Sequence, residues 1–292
     1  MNWNSQSRLN LLSGSNVQME KYDAVIRKIK RKRRWVLVLS MIAAWVIIIF
    51  ATPMTLEVLG ASMVEYNGVH PAIAVVLLVL CLLISMFAYA AVSVPLFSSM
   101  QENCEPEKNL VLNVMLNKQK NVDNIYAMDY FYLGDFQAAL HYSERMTENP
   151  SAVYAMSGLF YRARCEFMLG EYEALLKSAE EYANKLSGIK RVNPKRMDSL
   201  QKMDTVIQLM CAVSKDDTEA IKALFPCARV WLPSKPSECF FNYVMGLAAL
   251  KTEDLVEAVY RFKLVKEQFP HTSFCRLAEE KITSFNVRQR DA

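Results

Sequence analysis

No Lys or Arg occurs between residues 35 and 98, and this single absence constrains the chain more than any other feature. Two uncharged runs lie inside that stretch. Trp35 to Ala51 reads WVLVLSMIAAWVIIIFA, and Pro71 to Phe97 reads PAIAVVLLVLCLLISMFAYAAVSVPLF. A bilayer core of about 30 Å needs roughly 20 apolar residues in a helix, and the two runs meet that requirement. A helix of a soluble fold keeps a polar face, whereas these runs are apolar all round. The spacing therefore predicts transmembrane helices over 35–51 and 71–97, joined by a short extracytoplasmic loop, 52–70. A cleavable signal peptide is the competing reading of the first run, but its apolar core starts late and no small-x-small site closes it.

The charge pattern orients the pair. Seven basic residues, Arg27, Lys28, Lys30, Arg31, Lys32, Arg33 and Arg34, precede the first run. Basic flanks stay on the cytoplasmic side. The segment 1–34 is expected inside, Trp35 at the interface, and everything after 97 inside again. The same cluster is expected to meet anionic headgroups of the lipid bilayer, at about 1 kcal/mol per residue near the surface. Residues 99 to 292 are nearly neutral, which argues against a nucleic-acid partner, since a reader of phosphate backbones carries a basic face on its folded part. The loop carries Glu57 and Glu65 and the spans carry no ionisable Asp, Glu, Lys, Arg or His, so an ion path through them is not expected. The whole arrangement fits a multi-pass protein of a cell membrane, of bacterial type, with both termini cytoplasmic.

The seven cysteines, 81, 104, 165, 211, 227, 239 and 275, have no CxxC spacing and an odd count. They read as free thiols in a reducing compartment, not as a disulfide framework or zinc site. No nucleotide, hydrolase or metalloprotease motif occurs, and His70, His141 and His271 fall into no catalytic pattern. No cofactor and no enzymatic activity are expected.

The remainder repeats. Asn242 to Pro270 reads as two helices with a polar break at Lys251–Asp254. Gly246 and Ala249 are small in the first helix; Ala258 and Phe262 face them from the second, and Pro270 closes the unit. Asp123 to Pro150 shows the same order, with Ala127, Tyr130, Gly134, Phe136 and Ala139; Ser143 stands in the second aromatic's place. Ser151 to Lys185 repeats it with Ala163, Gly170, Tyr172 and Leu175, and Ser151 as N-cap. Met197 to Pro226 is a shorter unit with Lys215 at the turn, then Ala220 and Leu224. Thr272 to Phe285 reads as a cap helix on the last open face.

These positions resemble the tetratricopeptide repeat (TPR) family, over about half of the chain. The resemblance implies an all-α fold, with two transmembrane helices followed by a cytoplasmic α-solenoid of about four helix pairs over 120–287, after a linker or helix at 98–119. A closed all-α bundle is the alternative. The resemblance also implies a concave groove lined by the first helix of each pair. Its register places Asn124, Met128, Phe131 and Tyr132 there, then Phe160, Arg164 and Phe167, then Tyr243, Leu247 and Leu250. Aromatic and Arg side chains are frequent binding anchors. The implied role is a membrane-anchored scaffold for a protein or peptide partner, with homo-oligomer contacts open to the spans. A sensor relaying changes from the loop or spans is the second reading. The family's carboxylate clamp is not reproduced. The basic stretch Lys190 to Arg196 is expected to be a solvated loop.

Overall fold

The computed structural model describes residues 19–51, 54–56, 64–66, 71–116, 122–189, 192–228 and 234–290. Almost all of these are helical. They fall into two compact units, 18–97 and one that contains 98–292.

In the first unit, helix α1 (Asp23–Ala51) follows a short 3-10 turn, Met19–Tyr22, and helix α2 spans Pro71–Gln101. The basic cluster is not a separate tail: it forms the first turns of α1. Between the helices an antiparallel ladder pairs β1 (Met54–Leu56) with β2 (Val64–Tyr66), in the register Met54↔Tyr66, Thr55↔Glu65 and Leu56↔Val64. The fold is all-helical as the sequence predicts, with this three-residue ladder as the departure among the described residues. Glu57 and His70 lie outside the described residues.

Among the described residues one helix is long and apolar enough to cross a membrane. Its window is Val75–Val92, 18 residues with a mean hydropathy of 2.8, and none of it is buried. On α1 the described uncharged side chains run only from Trp35 to Ile49, behind the basic cluster. The two helices meet along narrow seams. Val36, Ser40, Ala43 and Ile47 are half-buried on α1; Leu78, Cys81, Ser85, Ala88 and Val92 are half-buried on α2. Steps of three and four residues keep each row on one face. The Cys81 thiol reaches the Ser40 carbonyl at 3.9 Å, and the Arg33 guanidinium lies 5.0 Å from the Tyr89 ring centroid. These pairings fix α1 and α2 as antiparallel. The hydroxyls at Ser40 and Ser85 donate within their own helices, to the carbonyls of Val36 and Cys81, leaving no demand on surroundings.

The second unit begins with the last turn of α2. It continues through α3 (Pro106–Leu116), α4 (Asp123–Leu133), α5 (Phe136–Thr147), α6 (Ala152–Leu169), α7 (Tyr172–Gly188), α8 (Pro194–Ser214), α9 (Thr218–Ala228), α10 (Lys235–Lys251), α11 (Leu255–Gln268) and α12 (Ser273–Arg290). Each helix packs on its neighbour in sequence, and α4–α5, α6–α7, α8–α9 and α10–α11 are tight hairpins. One backbone device makes all four turns. A left-handed residue ends the first helix: Gly134 (φ 87°), Gly170 (74°), Asp216 (54°) and Glu253 (59°). The next amide then bonds back across the turn: Asp135 to the Tyr130 carbonyl, Glu171 to Glu166, Asp217 to Ala212 and Asp254 to Ala249, at 2.9–3.0 Å. Asp135, Asp217 and Asp254 also cap the second helix, accepting from the amides of Ala138, Ala220 and Glu257 at 3.0 Å.

Several expectations shift against this frame. The third turn is at Asp216, one residue after Lys215, so the buried position opposite the first helix is Ile221, not Ala220, and Phe225, not Leu224, follows it. Pro226 does not end α9, which runs to Ala228. Pro194 to Arg196 are the start of α8, with the Asn193 side chain accepting from the Lys195 amide at 2.9 Å; Lys190 and Arg191 lie outside the described residues. Ser151 stands at an N-cap but makes no side-chain cap bond. The 98–119 segment, expected as a linker or helix, holds a helix: Cys104 (φ 51°) ends α2, the Glu105 amide bonds back to the Ser99 carbonyl at 2.8 Å, and α3 packs on α4.

Helices α4, α6, α8 and α10 form an inner layer in which α6 touches both α4 and α8, and α8 touches α10. Glycine permits the closest crossings. A Cβ on Gly246 would stand 2.7 Å from the Phe262 ring, and one on Gly158 would stand 2.7 Å from Met146 and 2.8 Å from the Thr147 amide nitrogen. The last helix departs from a simple cap: α12 packs on α11, on α10 and back on α4.

Candidate binding face

Helix α12 brings Phe274 to the inner layer. Its ring lies 5.3 Å from Phe131, 5.7 Å from Tyr132, 6.3 Å from Phe136, 5.8 Å from Phe240 and 5.2 Å from Tyr243, centroid to centroid. All five contacts are tilted or edge-on, the arrangement ring quadrupoles favour, and each is worth about 0.5–1.5 kcal/mol beyond its buried area.

Arg164 from α6 lies against three of the same rings, Phe131, Tyr132 and Phe240. Its guanidinium carbon is 4.2 Å from the Phe131 centroid, 4.1 Å from Phe240, 5.3 Å from Tyr132 and Phe160, and 5.1 Å from Tyr161. Only 3% of Arg164 is exposed. One terminal nitrogen donates to the Tyr132 hydroxyl at 2.7 Å, and that hydroxyl donates on to the Pro236 carbonyl. No ion pair to Arg164 forms among the described residues, and its Nε is buried with no hydrogen-bond partner. The rings take the place of a carboxylate: a desolvated cation over an aromatic face gains about 2 kcal/mol. Burial pushes the Tyr132 phenol well above its ordinary range, with Arg164 opposing, so it stays a neutral donor.

A second buried polar chain runs beside it. The Ser99 hydroxyl donates to Asn109 Oδ1 at 3.2 Å, and Asn109 Nδ2 donates to both Asp129 oxygens at 2.9 and 2.8 Å. Asn113 donates to the Asn109 carbonyl at 2.8 Å. Asp129 is fully buried. Desolvation holds its carboxyl well above the usual range, and the Asn109 amide only partly offsets this.

The residues that the repeat register assigns to the groove separate into two groups. Tyr132, Phe160, Arg164, Phe167 and Tyr243 are buried, as is Phe131. They meet one another and α12, so the part of the face they line is filled. Asn124 is exposed in the first turn of α4, where its amide donates to the Tyr154 hydroxyl at 3.2 Å; Met128 and Leu247 are half-buried. Among the topology residues, Arg27, Lys28, Lys30, Arg31, Lys32 and Arg34 are exposed, and Arg33 turns to Tyr89. Phe240, Phe274, Asn109 and Asp129 escape the sequence reading. Asp129 carries a local signal, a lone acid inside the apolar run YAMDYFYL. Phe274 carries none. All seven thiols are free: Cys104, Cys165, Cys211 and Cys239 are buried, Cys81 and Cys275 half-buried, and Cys227 exposed.

Comparison with protein-family models, with curated proteins and with solved structures finds no match to this chain.

Proposed function

We propose that the chain is a two-span membrane scaffold whose cytoplasmic TPR-like helix pairs hold a protein or peptide partner. The supporting observation is the joining, in one chain, of the apolar window Val75–Val92, none of it buried, with a helical unit of repeated hairpin turns. A helix that exposes most of its Leu, Val and Ile side chains is suited to an apolar solvent, and α1 pairs with it as the second span. Anchoring then raises the partner's effective concentration at the membrane. Site-specific photo-crosslinking in native membranes tests this, with probes at the accessible positions Asn124, Met128 and Leu247 and a control at Lys222 on α9. Capture of one protein from the first three and not from the control supports the scaffold. Equal labelling at all four positions removes it.

A sensor is the second reading, favoured by the Ser99–Asn109–Asp129 chain, which ties the last turn of α2 to α4. Under this reading a change in α2 reaches the array through Asn109.

A further inference from the structure

Helix α1 is continuous from Asp23 to Ala51, so its basic turns are held in line with the uncharged turns that follow. Six of the seven cations are exposed, and Arg33 alone turns to the Tyr89 ring. Four of the six, Arg27, Lys30, Arg31 and Arg34, recur at steps of three and four and share about 100° of arc. The same sector runs on through Val38, Met41 and Trp45, all exposed. Ile26 and Ile29 lie outside it and are buried. One stripe of the helix is therefore cationic over about 10 Å and apolar beyond. The headgroup layer of a leaflet is about 5–8 Å deep, so a span beginning at Trp35 sets the cations among phosphates. Like charges four apart on a helix repel, and this stripe contains the pairs Arg27–Arg31 and Lys30–Arg34. No Asp or Glu occurs in α1 after Asp23, nor anywhere in α2, to offset them.

We infer that Arg27, Lys30, Arg31 and Arg34 form a binding site for an anionic phospholipid that carries two phosphate groups, with Val38, Met41 and Trp45 receiving its acyl chains. This rests on the two-span reading and deepens it. A flexible basic tail attracts any anionic surface in proportion to its charge. A helical stripe adds geometry. Three of its four cations are Arg, whose forked donors bond a phosphate at two oxygens at once. One phosphodiester occupies one such fork and leaves the others unmet. Two phosphates joined on one lipid make the second contact an intramolecular step, which two separate lipids of the same total charge do not. The acyl chains meet an apolar surface in the same sector, so a soluble phosphate gains only the headgroup half of the site. Lys28 and Lys32 stand off the stripe and supply charge without this alignment. The ligand ties the scaffold to regions of membrane where lipids of this kind gather.

The test uses the full chain in nanodiscs of phosphatidylcholine that also contain a diphosphatidyl lipid and phosphatidylglycerol at equal total phosphate. Bound lipids are counted by native mass spectrometry of the released chain. The wild-type chain is expected to retain the diphosphatidyl lipid at least fivefold above its share of the disc. Arg27→Lys, Arg31→Lys and Arg34→Lys together keep the charge and remove the forks, and are expected to bring retention to within twofold of that share. Lys28→Gln with Lys32→Gln removes two charges off the stripe and is expected to leave the enrichment in place. Both variants change only exposed side chains, so the fold is not at stake. Excess inorganic pyrophosphate is expected not to displace the lipid. The proposal is overturned by no enrichment, by enrichment that survives the three Arg→Lys changes, or by an equal loss with Lys28→Gln and Lys32→Gln. Displacement by pyrophosphate overturns it too, because the site then takes phosphate and not lipid. An alkaline carbonate wash of phosphatidylcholine vesicles separates the two readings. A chain that stays in them while showing no lipid preference keeps its spans and loses only this site; a chain washed out loses both.

Discussion

The two units use the same apolar residues in opposite ways. In α1 and α2, Leu, Ile, Val and Trp point outward: Ile84 is 67% exposed and Phe87 74%. In the unit from Ser98 onward the large apolar side chains turn inward, and Phe131, Phe240, Phe262 and Phe274 are all but inaccessible. The proposed membrane setting accounts for the difference: lipid makes outward Leu neutral, water makes it unfavourable. A charge is therefore tolerated on the outside of one unit and not of the other, and a lost methylene matters inside one and little on the outside of the other.

The comparison breaks first, and most severely, at the closing helix. Phe274→Ala removes a fully buried ring and is expected to lower the stability of the helical unit by about 3–5 kcal/mol, read as a shifted thermal or urea midpoint. Ile84→Ala should leave the same midpoint within error, since its side chain meets no core. Ile84→Arg attacks the other unit. A charge at the centre of a span costs about 2.5–3.5 kcal/mol of insertion, so the fraction inserted in a translocation assay should fall sharply while the helical unit stays folded. A solubly expressed, fully active Ile84→Arg chain would instead mean that α2 does not span.

Smaller effects sharpen the contrast. Gly246→Ala places a methyl 2.7 Å from the Phe262 ring and is expected to destabilise by about 1–3 kcal/mol through overpacking. An added Phe262→Leu should recover part of that loss, a coupling a double-mutant cycle measures. Asp129 gives the smallest and most specific signal. Its folded pKa is raised, so the native state holds the proton more tightly than the unfolded chain does. Stability contributed by this proton is present at low pH and is lost as pH rises from about 4, the unfolded value, through the raised native value. Asp129→Asn should flatten that slope, and urea midpoints across the range would reveal it. An unchanged slope would place the titrating group elsewhere.

How far the fold was legible depended on how local each signal was. The hairpin turns could be read because Gly134 and Gly170 are the residues a left-handed turn favours. At the third turn Asp216 does that work, and with no glycine to mark it the register slipped by one residue. The Gly246–Phe262 contact was legible because both ends belong to one hairpin. The closure by α12 was not. Phe131 and Phe274 belong to opposite ends of the unit, and no periodicity connects them. A cap helix and a plug share the same amphipathic pattern, so Tyr132, Arg164 and Tyr243 read equally well as open groove and as core. The β1–β2 ladder was missed for another reason: three-residue strands are too short for an alternating pattern to register.

The closure also sets an order of events during synthesis. Helices α1 and α2 leave the ribosome before α3 to α11, which follow while the rings around Arg164 still lack Phe274. Phe274 emerges only after α11. Until then Phe131, Tyr132 and Phe240 have no ring to meet, and a nascent chain arrested before α12 would present to its surroundings the surface that the finished molecule covers. A chaperone has its widest access to that surface in this interval, before α12 closes it.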